Sequence, residues 1–388
     1  MKLTQKKIHY STQKIYNSDI ISVNKVLKSD YLTTGPVLEK FEKSVSKYVN
    51  SKYAVGVNSA TSGLHLACMS LNIKKKDNVW VAANSFVASA NAAIYLGAKV
   101  DFIDINLETY NIDIEALKKK LKKTDKKNLP KALVVVHFAG YPCELNQIKF
   151  LSKKYNFKII EDASHALGAR YKNKRIGNCQ FGDIAVFSFH PVKIITSGEG
   201  GIITTNNKIY YERLMRLRNH GITRSKIFMK KKKMPSWYYE QIDLGYNYRM
   251  SDIHAALGLG QLNHINEFLK KRNKIAKIYN KKLKKLPLGL PKIKDNFYST
   301  FHLYVVLINS NKINRDQVYK KLMNSNIYTN VHYIPIYRQP FYKKTLKKNI
   351  FLQNSEEYYK KALSLPIHPK MTEKDLNFVI KKLKELLR

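Results

Sequence analysis

From about residue 50 to residue 205, short runs of near-continuous apolar residues alternate with stretches whose apolar positions recur every three or four residues. The runs at 52–57 (KYAVGV), 78–83 (NVWVAA), 98–105 (AKVDFIDI), 131–138 (KALVVVHF), 157–163 (FKIIEDA) and 183–189 (DIAVFSF) read as strands. The stretches 61–72, 85–96, 113–123 and 144–155 between them read as helices. Strands that are apolar throughout, rather than at every second position, are covered on both faces. The pattern therefore predicts an α/β fold built on a mostly parallel sheet.

Beyond 205 the periodicity turns helical, over 206–219 and then over a long stretch from about 251 to 286. A smaller α+β unit follows, with a strand near 302–308, helices near 314–325 and 354–364, and a last helix at 373–387. The expected organisation is a large domain over 1–260 and a smaller C-terminal domain over 261–388, divided within the long helix. There is no internal repeat.

Composition narrows the function classes. The chain has 388 residues, 44% of them hydrophobic, enough to bury a large core and to exclude wholesale disorder. Its 70 Lys and Arg against 28 Asp and Glu leave a formal charge of +42, which raises the possibility of a nucleic-acid partner. The excess is scattered, however, in runs such as 118–123, 230–234 and 281–285, with no accompanying RNP-type, zinc-finger or basic-zipper pattern. It reads as solvated lysine, and no nucleic-acid partner is expected. Cys68, Cys143 and Cys179 lie far apart, which argues against a zinc site or a disulfide framework and suits a reducing cytoplasm. No metal is expected. The opening residues MKLTQKKIHYST lack the apolar core of a signal peptide, and runs such as 132–140 are too short to span a bilayer. The expectation is a cytoplasmic protein with no membrane partner.

Two nucleotide-binding templates fail. GNCQFGDI (177–184) has Asp183 where a phosphate loop needs its lysine, and GEGG (198–201) is followed by Ile203 where a dinucleotide loop needs its third glycine. A different constellation holds together. The strand FKIIED ends in Asp162, at the carboxyl end where open α/β sheets bind ligands, and His165 follows about one turn later. The strand DIAVFSF delivers Ser188 and then Lys193, in a small-residue loop where a desolvated amine can act as a nucleophile towards a carbonyl. The Ser59-Ala60-Thr61 turn opens a helix whose N–H groups and hydroxyls suit a phosphate. Phe86 stands at the start of another helix in the same row of strand ends. Pyridoxal 5'-phosphate needs such a lysine, an acid at its ring nitrogen, donors for its phosphate and an apolar face.

The blocks EDASHALGA, GDIAVFSFHPVKIITSGEGG and GYNYRMSDIHAALGLGQL resemble the DegT/DnrJ/EryC1/StrS sugar aminotransferases, and the resemblance runs from IHYSTQKI to the final helix. It implies the type I, aspartate aminotransferase-like fold of pyridoxal-phosphate-dependent transferases. It also implies that Lys193 forms the Schiff base, Asp162 pairs with the ring nitrogen, His165 lies near the phenolic oxygen and Phe86 stacks on the ring. Ser188 and Ser59-Ala60-Thr61 would hold the phosphate. Asn247 would reach it from the neighbouring subunit of a homodimer with shared active sites. Because the lysine is present, transamination rather than dehydration is implied.

Three stretches, SDYLTTGP (29–36), SWYYEQIDLGYNYRM (236–250) and TNVHYIPIYRQPFY (329–342), resemble the members that act in pseudaminic acid biosynthesis. The implied substrates are L-glutamate and a UDP-linked 2-acetamido-4-keto-6-deoxy sugar, aminated at C4. Tyr10, Asp30, Tyr31, Leu32, Thr33, His332 and Tyr333 would line the sugar pocket, with Ala60, Ser188 and Asn247 also touching substrate. A GDP- or dTDP-linked keto sugar, or a non-catalytic basic protein on the same scaffold, is the alternative. The basic insertion RSKIFMKKKKMP (224–235) has no place in this scheme.

Overall fold

The computed structural model describes residues 6–346 and 349–388. The first five residues, on which the reading of the N-terminus partly rests, lie outside the described residues.

Seven strands form the central sheet: β1 (Tyr53–Val57), β2 (Asn78–Ala82), β3 (Lys99–Ile103), β4 (Ala132–Val136), β5 (Lys158–Asp162), β6 (Ile184–Ser188) and β7 (Gly201–Thr205). Their order across the sheet is β1-β7-β6-β5-β4-β2-β3. The links among β6, β5, β4, β2 and β3 are parallel, and β7 runs antiparallel to both β6 and β1. All six strands expected up to residue 189 are present within a residue or two of their expected ends.

The apolar runs are explained by a sheet buried on both sides. Leu133 and Val135 point into one hydrophobic cluster with Phe41, Val45, Ile148 and Phe157, and Ala132 and Val134 point into a second with Leu64, Ala67, Leu214 and Leu217. Ile159 and Ile160 divide in the same way. Each strand residue thus has a core to enter whichever way it points, so alternation is absent from the sequence.

The helices follow their caps. The helix Ala60–Ser70 starts where the Ser59 hydroxyl accepts the Ser62 N–H, and Ile114–Lys123 starts where Asp113 accepts the Ala116 N–H. Two N-terminal helices, Asn17–Leu27 and Pro36–Val49, went unread in the pattern. The second has Pro36 in its first turn, and buried Asp252 accepts the N–H groups of Gly35, Val37 and Leu38.

Two expected helices are corrected. The stretch 251–286 is two helices, Asp252–Asn263 and Ile265–Leu283, that meet at His264. There the ring of His264 stacks on Tyr16 at 4.0 Å and contacts the Ser18 hydroxyl at 3.1 Å. The helix expected over 354–364 ends at Lys361, and Ala362–Leu365 is instead a buried strand antiparallel to Tyr304–Ile308. Its apolar residues enter a ladder rather than a helix face.

A third hydrophobic cluster unites these strands with the final helix, Glu373–Leu387. The helix Ile265–Leu283 spans two clusters: Ile265, Phe268 and Leu269 belong to the sheet's core, and Ile275, Tyr279 and Leu283 to the third. At the other end of the chain Ile8 and His9 pair in parallel with Ile327 and Tyr328, and Ile8 packs in the same third cluster. Among the described residues no helix is long and apolar enough to cross a membrane.

Candidate active site

A cavity of about 400 Å³ opens at the carboxyl ends of β1, β2, β4, β5 and β6. The structure brings eleven of the expected residues to its wall: Lys193, Asp162, His165, Ser188, Ser59, Ala60, Thr61 and Phe86, with Tyr10, His332 and Tyr333 opposite. Distant parts of the sequence converge because parallel strands end in one row.

Asp162 is the last residue of β5 and is buried. Its Oδ2 accepts the Ser89 hydroxyl at 2.6 Å, Ser89 lies 2.6 Å from the Ser85 hydroxyl, and its Oδ1 accepts the Ser164 N–H at 3.2 Å. The carboxylate is thereby fixed on both oxygens.

Lys193 lies in the turn after β6, and its backbone N–H bonds the His190 carbonyl at 2.9 Å. Removal from water pushes its amine down to about 8, against an opposing pull from the Asp162 charge. A lysine so placed is a nucleophile and proton carrier near neutral pH rather than a fixed cation.

The helix Ala60–Ser70 aims its N-terminus at the cavity, with Ser59, Ala60 and Thr61 in the wall. Gly201, the first residue of β7, allows this approach, since a Cβ there would lie 2.7 Å from the Ala60 nitrogen and 2.8 Å from the Ser59 carbonyl carbon. A helix N-terminus that opens on a cavity is suited to an anion.

His165 is buried between two elements. Its Nδ1 accepts the Ala139 N–H at 3.3 Å, which leaves the ring proton on Nε2, 3.2 Å from the Tyr333 hydroxyl. Burial, and then the Lys193 charge, hold its imidazole well below the usual range and thus neutral. The His302 ring lies 4.3 Å from it, tilted by 35°, and is depressed chiefly by burial too. Burial also pushes His332 down to about 3, and its Nδ1 meets the Ser364 hydroxyl at 2.8 Å. Tyr10 rests against the His332 ring at 5.1 Å, and Phe86, 57% exposed, lies 6.0 Å from Tyr333.

Five expected residues lie elsewhere in the single chain. Asp30, Tyr31, Leu32 and Thr33 form an exposed turn anchored on the helix Asp252–Asn263, through the Leu32 carbonyl to the Asp252 N–H and a bridge from Thr33 to Ser251. Asn247 is exposed on a segment whose neighbours are fixed: the Tyr248 N–H bonds the Arg218 carbonyl, and the Asn58 N–H bonds the Tyr248 carbonyl. Conversely, Ser85, Ser89, Ser164, His302 and Asn330 belong to the site and went unread. A weak signal existed for one pair, because Ser85 and Ser89 are spaced by one helical turn.

The chain matches the model of the DegT/DnrJ/EryC1/StrS aminotransferase family over residues 13–384. It belongs to that family. A Campylobacter jejuni protein named UDP-4-amino-4,6-dideoxy-N-acetyl-beta-L-altrosamine transaminase is 42% identical over 374 residues, 96% of this chain and 95% of that protein. Among solved structures, Helicobacter pylori PseC, described as an aminotransferase involved in pseudoaminic acid biosynthesis, superposes with a TM-score of 0.89 at 30% identity, covering 98% and 99% of the two chains. The PMP-form of the putative sugar aminotransferase Spr1654 from Streptococcus pneumoniae gives a TM-score of 0.89 at 27% identity, covering 98% of each chain.

This member of the family is a pyridoxal-phosphate-dependent sugar aminotransferase with the expected fold. The donor set fits the cofactor. One cavity contains an amine of lowered basicity, a carboxylate fixed on both oxygens and a helix N-terminus kept accessible by Gly201.

Proposed function

We propose that the enzyme transfers an amino group from L-glutamate to C4 of a UDP-linked 2-acetamido-2,6-dideoxy-4-keto-hexose in pseudaminic acid biosynthesis, a reading supported by the transaminase name of its Campylobacter relative and the biosynthetic role ascribed to the Helicobacter structure, and that it works as a homodimer. The observation that carries the reading is the convergence of Lys193 and Asp162 in one cavity, from a strand end and from the turn after the neighbouring strand.

When bound, pyridoxal phosphate supplies an electron sink for the carbanion formed at the amino-bearing carbon. Lys193 holds the cofactor at rest. During turnover its Nζ takes the proton from the substrate carbon and returns one, a task suited to a base with its midpoint near working pH. Asp162, oriented by Ser89 and Ser164, would keep the cofactor's ring nitrogen protonated. Ser59, Ala60, Thr61 and Ser188 would hold the phosphate, with Asn247 of the second subunit completing that contact. Phe86 would cover the ring, and the neutral His165 would serve its hydroxyl. Tyr10, His332 and Tyr333 shape the sugar end, where buried neutral rings exclude water and leave the keto group uncharged neighbours. The 30–33 turn lies at the mouth of the assembled dimer's site.

The test is a pair of half-reactions on the holoenzyme. Glutamate should convert the bound cofactor to its amine form, and a UDP-linked 4-keto sugar, offered separately from its GDP-linked counterpart, should restore it and gain the mass of an amine. Transfer to the GDP-linked sugar alone would replace the substrate assignment. Lys193→Ala should reduce turnover by at least ~10²–10⁴-fold, and full activity in that variant would overturn the reading.

A further inference from the structure

A buried acid–imidazole pair lies next to the cavity and takes no part in the chemistry above. Glu161 precedes Asp162 on β5, so its side chain points to the other face of the sheet. Its Oε2 lies 2.9 Å from His137 Nε2, and its Oε1 accepts the Gly182 N–H at 3.0 Å. His137 is 0% exposed and Glu161 2%, and neither is in the cavity wall. The fit depends on Gly182, because a Cβ there would lie 2.3 Å from Glu161 Oε1. The His137 backbone N–H also bonds the Asp162 carbonyl at 3.2 Å, which sets the pair directly against the strand end that serves the site.

The second ring nitrogen of His137 closes a loop. Its Nδ1 accepts the Cys143 N–H at 3.0 Å, so the ring proton is on Nε2 and is donated to Glu161. Buried Asn111 holds the same loop from another side. Its Oδ1 accepts the Phe138 N–H at 2.8 Å, and its Nδ2 donates to the carbonyls of Tyr141 at 2.9 Å and Pro142 at 3.1 Å. Between these anchors Ala139 is at φ +56°, a left-handed conformation that alanine keeps only where its surroundings impose it. It is the Ala139 N–H, turned out by that conformation, that meets His165 Nδ1. A short strap thus runs from one imidazole to another.

We infer that the Glu161–His137 pair is a positioning device for the histidine of the site: by closing the 137–143 loop it holds the Ala139 N–H on His165 Nδ1 and keeps the His165 proton on Nε2. Once the loop is released, Ala139 relaxes, Nδ1 loses its donor and both neutral forms of the His165 ring become populated. With its proton on Nδ1, His165 presents a bare Nε2 and can no longer donate to the Tyr333 hydroxyl or to the hydroxyl of a bound cofactor. The consequence for the cofactor rests on the role given to His165 above, whereas the tautomer does not.

The first test reads the tautomer directly. Full-length protein labelled with heavy nitrogen in its histidines is examined by NMR, free of cofactor and after loading with pyridoxal phosphate. Wild type should carry the His165 proton on Nε2 in both forms, and a proton on Nδ1 would overturn the inference without any variant. In Glu161→Gln one of the two N–H donors, that of His137 or that of Gly182, loses its acceptor. The ratio of the Nε2–H to the Nδ1–H form of His165 should then fall by about fivefold, the worth of one modest hydrogen bond. If that variant does not fold, His137→Asn and His137→Leu carry the same test. Asparagine keeps an oxygen for the Cys143 N–H and should hold the wild-type tautomer better than leucine, which has none. An unmoved tautomer in folded Glu161→Gln, or identical behaviour of the two His137 variants, overturns the inference.

Cofactor affinity separates it from the reading it builds on. Glu161→Gln should bind pyridoxal phosphate about fivefold more weakly, and the loss should shrink below about twofold when His165 is already alanine. An equal loss in both backgrounds would assign the pair to the fold and not to His165, and overturns the inference as well. A moved tautomer with unchanged cofactor affinity leaves the inference standing and overturns the role of His165 at the cofactor's hydroxyl.

Discussion

The Ser89 hydroxyl donates to Asp162 Oδ2 at 2.6 Å from a fully buried position, and the Ser85 hydroxyl stands 2.6 Å behind it. The carboxylate is therefore fixed by a separate element, the helix Ala88–Ile94, as well as by its own strand end. Hydrogen bonds to charged groups contribute about 1.5–3 kcal/mol. Ser89→Ala should lower kcat/KM by about tenfold or more and weaken cofactor retention, while Ser89→Thr, which keeps the hydroxyl, retains more of both. Dialysis against buffer followed by cofactor fluorescence reads retention, and steady-state rates read the rest.

Lys193, with its amine pushed down to about 8, sets a pH dependence. Capture of pyridoxal phosphate by the apoenzyme requires the neutral amine. The rate should rise with pH around 8, from about a tenth of its limit at pH 7 to about nine tenths at pH 9. Asp162 pulls the other way, favouring the charged amine. Asp162→Asn should therefore move the midpoint to lower pH even as it cripples turnover, and stopped-flow absorbance across pH 6–10 (roughly the window set by that shift) measures both.

Buried histidines govern acid stability. His368 is pushed down to about 3, first by burial and then by the neighbouring Arg272, with Asp375 opposing and Lys6 adding a small further push. In the unfolded chain it takes its proton near ~6.5. The unfolded state thus binds more protons between those values, and stability falls as pH drops through that window, on the order of 1 kcal/mol per pH unit. His368→Gln, which keeps a donor for the His9 carbonyl, should flatten that slope in urea titrations between pH 6.5 and 4 (roughly the upper part of the window).

Gly201 keeps the phosphate end open. An alanine Cβ would press on the backbone of Ser59 and Ala60, which cannot yield as a side-chain tip can. Overpacking of this kind costs about 1–3 kcal/mol. Gly201→Ala should lose at least about tenfold in pyridoxal phosphate affinity and also lower the melting temperature, seen by cofactor titration and calorimetry.

Legibility in the sequence followed the range of the contacts. Asp162, Lys193 and the Ser59 turn could be read because each sits at the end of an apolar strand, where local pattern and chemistry coincide. Six of the sheet's seven strands were legible for the same reason. The break at His264 was not, because what turns the chain there is Tyr16, remote in sequence. The strand Ala362–Leu365 looked like a helix end because its partner, Tyr304–Ile308, is equally distant. His302 and Asn330 enter the cavity only through tertiary packing, and no local spacing announces them. The 30–33 turn and Asn247 were drawn from resemblance, and a single chain leaves them outside the cavity.

Ile8 and His9 lie alongside Ile327 and Tyr328, and Tyr10 next to them closes the cavity against His332. Residues 8–10 must therefore wait for residues 327–332, far along the chain, before they can take their places. Throughout translation the sheet can assemble with one side of the cavity absent, so loading with cofactor is an act of the finished polypeptide. A chain cut short between residues 193 and 327 keeps its lysine and its aspartate but lacks the wall that encloses them.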